Sequence, residues 1–229
     1  MRSKSTGNLS SNFMKPALYY THNGVLQKII STKLVELIPN KPIQIQSILD
    51  IGCGTGFVAQ KLIEKGFSFE KILQIDFNSN SLKIAKQYSK IKKNNFNCPL
   101  NFEEKFDLIT SSMSLQWSQN INQTIDEIKK NLINDGKFIF SIPLLGSLAE
   151  IYTALKIPNF LFHKQENINA KLIFEKTYHE NAFITLKNIH LCNLKINSEK
   201  SSQKIDKNTI KFLKMTNTKW NIGWFIVEN

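Results

Sequence analysis

The sequence predicts an α/β fold built on a doubly wound, mostly parallel sheet. Two observations carry that expectation. From about residue 45 to 142, short apolar runs alternate with helix-patterned segments, the spacing of successive strand–helix–strand units. The stretch Ile48-Leu49-Asp50-Ile51-Gly52-Cys53-Gly54-Thr55-Gly56 reads as a buried strand over 47–51 that enters a glycine turn. Phe57, Val58, Leu62 and Ile63 then recur at helical spacing. Strand, glycine turn and helix together open a nucleotide-binding, Rossmann-like unit. At 229 residues the chain is long enough for one good core and a small appendage.

The elements follow in order. Residues 1–12 are polar and read as a disordered tail without the apolar centre of a secretory leader. Between 13 and 44, Ala17, Tyr20, Val25, Leu26, Ile29, Ile30, Leu34 and Leu37 suit one or two amphipathic helices, with Pro16 at a first turn and Pro39 to Pro42 as the break. Preceding the first strand, this segment is placed to fold over the site as a helical lid. The core spans 45–142. Its second strand ends at Asp76, and the polar run Asn78 to Ser81 caps the following helix. Lys90 to Asn97 is polar and rich in asparagine, so a third strand there is weak. Phe106 to Ser111 is strand four, Ile121 to Ile133 a helix, Asn134-Asp135-Gly136 a turn, and Lys137 to Ile142 strand five. Residues 143–229 form the substrate side. A helix near 148–156 leads into a helical insertion to about Tyr178, Phe183–Leu186 and Ile189–Ile196 read as late strands, Lys207–Met215 as a short helix, and Trp220–Val227 as a final edge strand. One domain, 13–229, results.

Composition bounds the partners. The net charge is +12, which favours acidic or anionic partners. Yet the only arginine is Arg2, and the chain is heavy in Ile, Asn and Lys, so part of the charge is compositional. No basic stripe interleaved with aromatics is visible in the sequence, which argues against nucleic acid. No apolar run is long enough for a membrane span. Cys53, Cys98 and Cys192 lack paired spacing, which implies neither a zinc site nor a disulfide framework and fits a reducing cytoplasm.

The glycine turn leaves two ligands to weigh. A dinucleotide fingerprint is GxGxxG. Here the spacing is GxGxG, and Phe57 stands where a third dinucleotide glycine would be. Asp50 just before the turn would repel a diphosphate but suits a cationic amino-acid moiety. Asp76, at the next strand end, is placed to accept both hydroxyls of a ribose. The pattern D-x-G-x-G-x-G with a strand-end Asp resembles that of class I S-adenosylmethionine (SAM) methyltransferases.

Further stretches are similar to the malonyl-acyl-carrier-protein O-methyltransferases of biotin synthesis, the BioC family. Ser111-Ser112-Met113-Ser114-Leu115-Gln116-Trp117 resembles that family's S-N-x-x-x-Q-W loop. Phe13, Ala17, Tyr20 and Gln27 follow its F-x3-A-x2-Y-x6-Q opening, and Gly146-Ser147-Leu148 its segment after strand five. Lys211 to Thr216 is similar to its late helix end. The resemblance implies SAM as cofactor and an acidic acyl carrier protein bearing a malonyl thioester as partner, with neither nucleic acid nor membrane involved. It implies cofactor contacts from Gln27, Asp50, Gly52, Cys53, Gly54, Gly56, Asp76, Phe77, Asn94, Asn95 and Met113. Tyr20, Gln116 and Trp117 would stand at the methyl-transfer point. Asn94 and Asn95 replace the family's adenine-binding aspartate, and an amide oxygen can still accept that hydrogen bond without charge assistance.

A carboxylate acceptor is ionised at neutral pH. No general base is then needed, which agrees with four scattered histidines, 22, 163, 179 and 190. Other readings stay open at this stage: a small-molecule acceptor such as a quinone precursor, and a non-catalytic partner protein with the same fold.

Overall fold

The computed structural model describes residues 17–38, 45–94, 100, 102–156, 162–191 and 205–229. The tail at 1–12, Pro16, the break at Pro39–Pro42 and Asn95 lie outside them. A seven-stranded sheet has the order β3-β2-β1-β4-β5-β7-β6. The strands are β1 (Ser47–Ile51), β2 (Lys71–Asp76), β3 (Lys90–Lys93), β4 (Phe106–Ser112), β5 (Leu132–Pro143), β6 (Lys171–Asn181) and β7 (Asn217–Glu228). β1 to β5 pair in parallel, while β7 runs antiparallel to both β5 and β6. The order reverses between β1 and β4, and such a switch point is where an open α/β sheet leaves a crevice at its carboxyl ends.

Helices cover both faces. On one lie α1 (17–23), α2 (Val25–Glu36) and α3 (Phe57–Glu64). Leu26, Ile30, Leu34, Val58 and Leu62 from α2 and α3 pack into one cluster with Trp220 and Trp224 of β7. On the other lies α5 (Ile121–Lys129), whose Ile121, Ile125 and Ile128 meet Phe106, Phe138, Phe140 and Phe225. Phe140 stacks between Phe138 and Phe225, at ring separations of 4.8 and 5.2 Å. Each of these fully buried side chains contributes about 1.5–3 kcal/mol by leaving water. α4 (Ser79–Ala85) starts as its sequence dictates: Asn78 Oδ1 accepts from the backbone N–H groups of Asn80 and Ser81 at 3.0 and 3.4 Å.

The amino-terminal region forms two helices, and the core forms in the expected order, including a short edge strand β3. α5 stops at Lys129, earlier than expected, because β5 begins at Leu132. The Asn134-Asp135-Gly136 turn is an excursion inside β5. Phe106 pairs with Leu132 and Leu108 with Lys137, so residues 133–136 loop out and Asp135 takes φ 63°.

The carboxyl-terminal part differs more. α6 (Ala149–Leu155) forms, but the helical material expected to reach Tyr178 does not, because Lys171–Asn181 is strand β6. It pairs with β7 from Lys171 to Asn181, and one face carries Phe174 and Tyr178 onto Trp224 at 5.3 and 6.5 Å. The expected late strands are instead α7 (Ala182–Leu191), where described. Asn181 Oδ1 caps it, accepting from Phe183 and Ile184 N–H at 3.1 and 3.2 Å. Buried Ala182, Thr185 and Ile189 then fall on one helical face. α8 (Lys207–Met215) is the expected helix. β7 is an interior strand between β5 and β6, not an edge.

Candidate active site

The site is built on the turn after β1. Gly54 has φ +55° and Gly56 φ +93°, left-handed conformations that favour glycine. A Cβ on Gly56 would also approach the Tyr88 ring to 2.8 Å. The turn is pinned to its neighbour strand: Cys53 N–H donates to Ile75 O at 3.1 Å, and Gly54 N–H donates to Asp76 Oδ2 at 2.9 Å. Asp76 Oδ1 accepts from Asn78 N–H at 2.7 Å. One carboxylate thus closes the turn and caps the chain after β2. Since an ionised carboxylate has about four acceptor positions, it keeps capacity for a further donor. Burial pushes Asp76 upward in pKa, and the backbone N–H groups of Asn78, Gly54 and Phe77 work against that shift.

Asp50 is fully buried, yet it borders the pocket. Its oxygens accept from Thr110 Oγ1 at 2.9 Å and from Gln74 Nε2 at 3.4 Å. Register explains the set: Gln74 of β2 and Thr110 of β4 are the direct cross-strand partners of Asp50. Burial pushes the Asp50 pKa up to about 7, the hydrogen bonds from Thr110 and Gln74 oppose this, and the charge of Asp76 adds to it. A cation in the pocket would draw Asp50 back to its ionised form. Burial, then the charges of Asp50 and Asp76, push the Cys53 thiol well up in pKa, so it does not serve as a thiolate nucleophile.

A narrow pocket joins this turn to the amino-terminal helices, lined by Tyr20, Gln27, Ser31, Asp50, Gly52, Cys53, Phe57, Val58 and Ser112. Tyr20 stacks on Phe57 at 5.4 Å and 18°. Sequence-predicted Tyr20, Gln27, Asp50, Gly52 and Cys53 are therefore gathered in one place. Phe77, beside Asp76, is 66% exposed, and Asn94 N–H donates to Asp76 O at 3.1 Å. Gly54, Gly56, Asp76, Phe77 and Asn94 sit on the same rim, outside the pocket lining.

The loop after β4 stands alongside. Met113 has φ 53° and donates its N–H to Ser141 O at 2.9 Å. Gln116 Nε2 donates to Met113 O at 2.8 Å, while Gln116 Oε1 is buried without a partner. Trp117 closes a 3-10 turn and is half-buried outside the pocket lining. Ser31 was not predicted, and Ser112 was read only as part of the loop after strand four. Each is one of several polar residues on its element, and its meaning shows only once α2 and β4 are known to meet.

Among the described residues, two buried side-chain polar atoms lack hydrogen-bond partners, Thr55 Oγ1 and Gln116 Oε1. They lie on the loops after β1 and β4, at the carboxyl-end crevice. Buried polar groups are nearly always satisfied, so two orphans here fit a polar ligand seated between these loops.

Strand order, the antiparallel seventh strand, the glycine turn and two strand-end carboxylates define the fold of the class I SAM-dependent methyltransferases. Residues 49–140 match the methyltransferase domain family. More particularly, the chain is similar to curated malonyl-[acyl-carrier protein] O-methyltransferases. That of Bacillus cereus is 30% identical over 139 residues, which cover 58% of this chain and 51% of that protein. That of Buchnera aphidicola is 29% identical over 193 residues, covering 82% and 69%. The chain thus spans about half the length of the first of these relatives. Among solved structures, the plantazolicin methyltransferase BpumL, in complex with a pentazolic analog and SAH, aligns with a TM-score of 0.53 at 12% identity, covering 96% of this chain and 98% of that one. At that identity the likeness concerns the fold. Among the described residues no helix is long and apolar enough to cross a membrane.

Proposed function

We propose that this chain is a SAM-dependent O-methyltransferase that esterifies the free carboxylate of a malonyl thioester on an acyl carrier protein. The observation that carries a methyltransferase reading is the crevice itself: Asp50 and Asp76 stand at its strand ends, and the orphan atoms of Thr55 and Gln116 belong to the loops after β1 and β4. The acceptor is supported by the names of the relatives and by the Ser112–Trp117 loop beside the crevice.

Bound SAM supplies an electrophilic methyl group. Asp76 accepts the ribose hydroxyls, and Gly52, Cys53, Gly54 and Gly56 let the backbone approach the ligand. Asp50 balances the cationic end, Phe77 and Asn94 (with Asn95, outside the described residues) flank the adenine, and Met113 lines the crevice. Tyr20 and Gln27 close α1 and α2 over it. Gln116 and Trp117 would position the acceptor carboxylate beside the methyl group. That nucleophile is already ionised, so the chain's work is positioning and exclusion of water, and among the described residues no histidine lines the narrow pocket.

The carrier protein has a candidate seat beside the pocket. A broad groove shares Phe57 with it and carries Lys28, Lys33, Lys61 and Lys176 around exposed Val25 and Ile29. Lysines around an apolar floor suit an acidic amphipathic helix, with charge speeding encounter.

The test is transfer of label from SAM to malonyl-acyl carrier protein, with acetyl-acyl carrier protein as control, at low and high salt. Label on the malonyl form alone, with kcat/KM falling as salt rises, is the expected result. Tight SAM binding without transfer to either form would sink the acceptor assignment and point to a small-molecule acceptor. Transfer indifferent to salt would remove the lysine groove from the account.

A further inference from the structure

A buried chain of hydroxyls has a proton left over. Ser31 Oγ lies 3.1 Å from Ser112 Oγ, which lies 3.3 Å from Ser141 Oγ. The chain of hydroxyls runs from α2 through β4 into β5, where Ser112 and Ser141 are cross-strand partners. Ser31 is 2% exposed and Ser141 0%. The choice of Ser112 as a partner for Ser31 is not the local default. Thr21 and Thr32, on the same two helices, turn their hydroxyls onto the carbonyls four residues earlier, at 3.0 and 2.8 Å, whereas Ser31 reaches across to the sheet.

Three hydroxyls carry three donor protons, and the two contacts between them consume two. Among the described residues no other acceptor meets these hydroxyls. Ser141 is sealed in the core, and leaving its proton unmade there would carry the full desolvation penalty, so it donates to Ser112. The remaining proton therefore sits on Ser112 or on Ser31, and both line the narrow pocket. Asp50 lines the same pocket. An acid and an oriented hydroxyl donor in one narrow space are complementary to a zwitterion, with the ammonium drawn to the acid and the carboxylate oxygen to the hydroxyl.

We propose that the Ser31–Ser112–Ser141 chain binds the α-carboxylate at the amino-acid end of SAM. This rests on the cofactor reading of the site and is independent of the acceptor. It gives a recognition role to α2 without an arginine, which a planar carboxylate would otherwise favour. It also ties the helical lid to the sheet at the moment of binding, since the ligand's oxygen completes a network that α2 and β4 share.

The experiment is calorimetric titration of the wild-type chain and of the Ser31→Ala and Ser112→Ala variants with SAM and with decarboxylated SAM, which lacks only the α-carboxylate. Loss of one hydrogen bond to a charged oxygen predicts that each variant binds SAM about tenfold to a hundredfold more weakly. The same variants should bind the decarboxylated ligand as the wild type does, which also shows that they are folded. Ser141→Ala, which only frees the orientation of Ser112, should show a smaller loss confined to SAM. Equal losses for both ligands would mean a packing role and overturn the proposal. So would unchanged SAM affinity with a raised KM for the acceptor, which would move the hydroxyls to the acceptor's carboxylate. Failure of the wild type to bind either ligand would instead strike the cofactor reading itself.

Discussion

The β6–β7 edge and the central β1–β4 crevice of the sheet solve the same problem in opposite ways. At the β6–β7 end, buried polar groups find partners inside the protein. Trp220 Nε1 donates to Glu180 at 3.1 Å, Thr218 Oγ1 to Glu150 at 2.8 Å, and Trp224 Nε1 to Ile30 O at 3.4 Å. At the β1–β4 crevice, Thr55 and Gln116 keep unpartnered atoms, and Asp50 and Asp76 are held in an environment that resists their charge. Satisfied polarity beside aromatic packing marks a structural region. Unsatisfied polarity beside a crevice marks a place where something else binds, and it lowers the stability of the empty protein. The stabilising edge and the functional crevice are thus separable by experiment.

The largest effect is expected from the aromatic end. Trp224 is fully buried against Phe174 and Tyr178, so Trp224→Ala should cost about 3–5 kcal/mol in stability. Urea unfolding measures this, and SAM affinity of the folded variant should stay near that of the wild type. A large affinity loss at low urea would mean that the two regions are not independent.

Next comes the pH dependence of the empty protein. The folded Asp50 pKa of about 7 lies above its ordinary 3.8. Its contribution is therefore fully present below pH 3.8 and is lost as pH rises through 7, by up to about 4 kcal/mol. Comparing wild type with Asp50→Asn between pH 4 and 8 isolates this slope, which the variant should lack. Added SAM should reduce the slope in the wild type, because its cationic end favours the ionised acid. Parallel pH profiles for the two proteins would show that Asp50 is not neutral in the empty fold.

A smaller but more local effect concerns Asp76. Asp76→Ala removes the acceptor for Gly54 and Asn78 N–H and, with it, the proposed ribose contact. SAM affinity should fall about a hundredfold, with each charged hydrogen bond worth roughly 1.5–3 kcal/mol. Asp76→Asn, which keeps an acceptor oxygen, should recover part of it. An unaffected affinity in the alanine variant would place the ribose elsewhere.

Legibility followed the range of the interactions concerned. The glycine turn, strand-end Asp76 and the Asn78 cap could be read because each is fixed within a few residues by φ, capping or turn geometry. The segment after strand five resisted because its answer was not local. Lys171–Asn181 is half exposed, so its alternation is blurred, and it becomes a strand because β7 offers an edge along its length. Phe183–Leu186 carries strand-like residues, yet the Asn181 cap and the burial of Ala182, Thr185 and Ile189 on one face settle it as helix. Of the site, Tyr20, Gln27, Asp50, Gly52 and Cys53 line one narrow pocket; Ser112 was legible only as part of the loop after strand four, and Ser31 gave no sign.

By itself, then, the sequence determined the glycine turn, the parallel half of the sheet and the two carboxylates, since backbone conformation and hydrophobic runs are written into neighbouring residues. Only the tertiary structure decided that Gln74 and Thr110 flank Asp50, and that Ser31, Ser112 and Ser141 form one chain. Those contacts join residues 24 to 81 positions apart. They exist because strand order and register bring those positions level, and no local propensity encodes either.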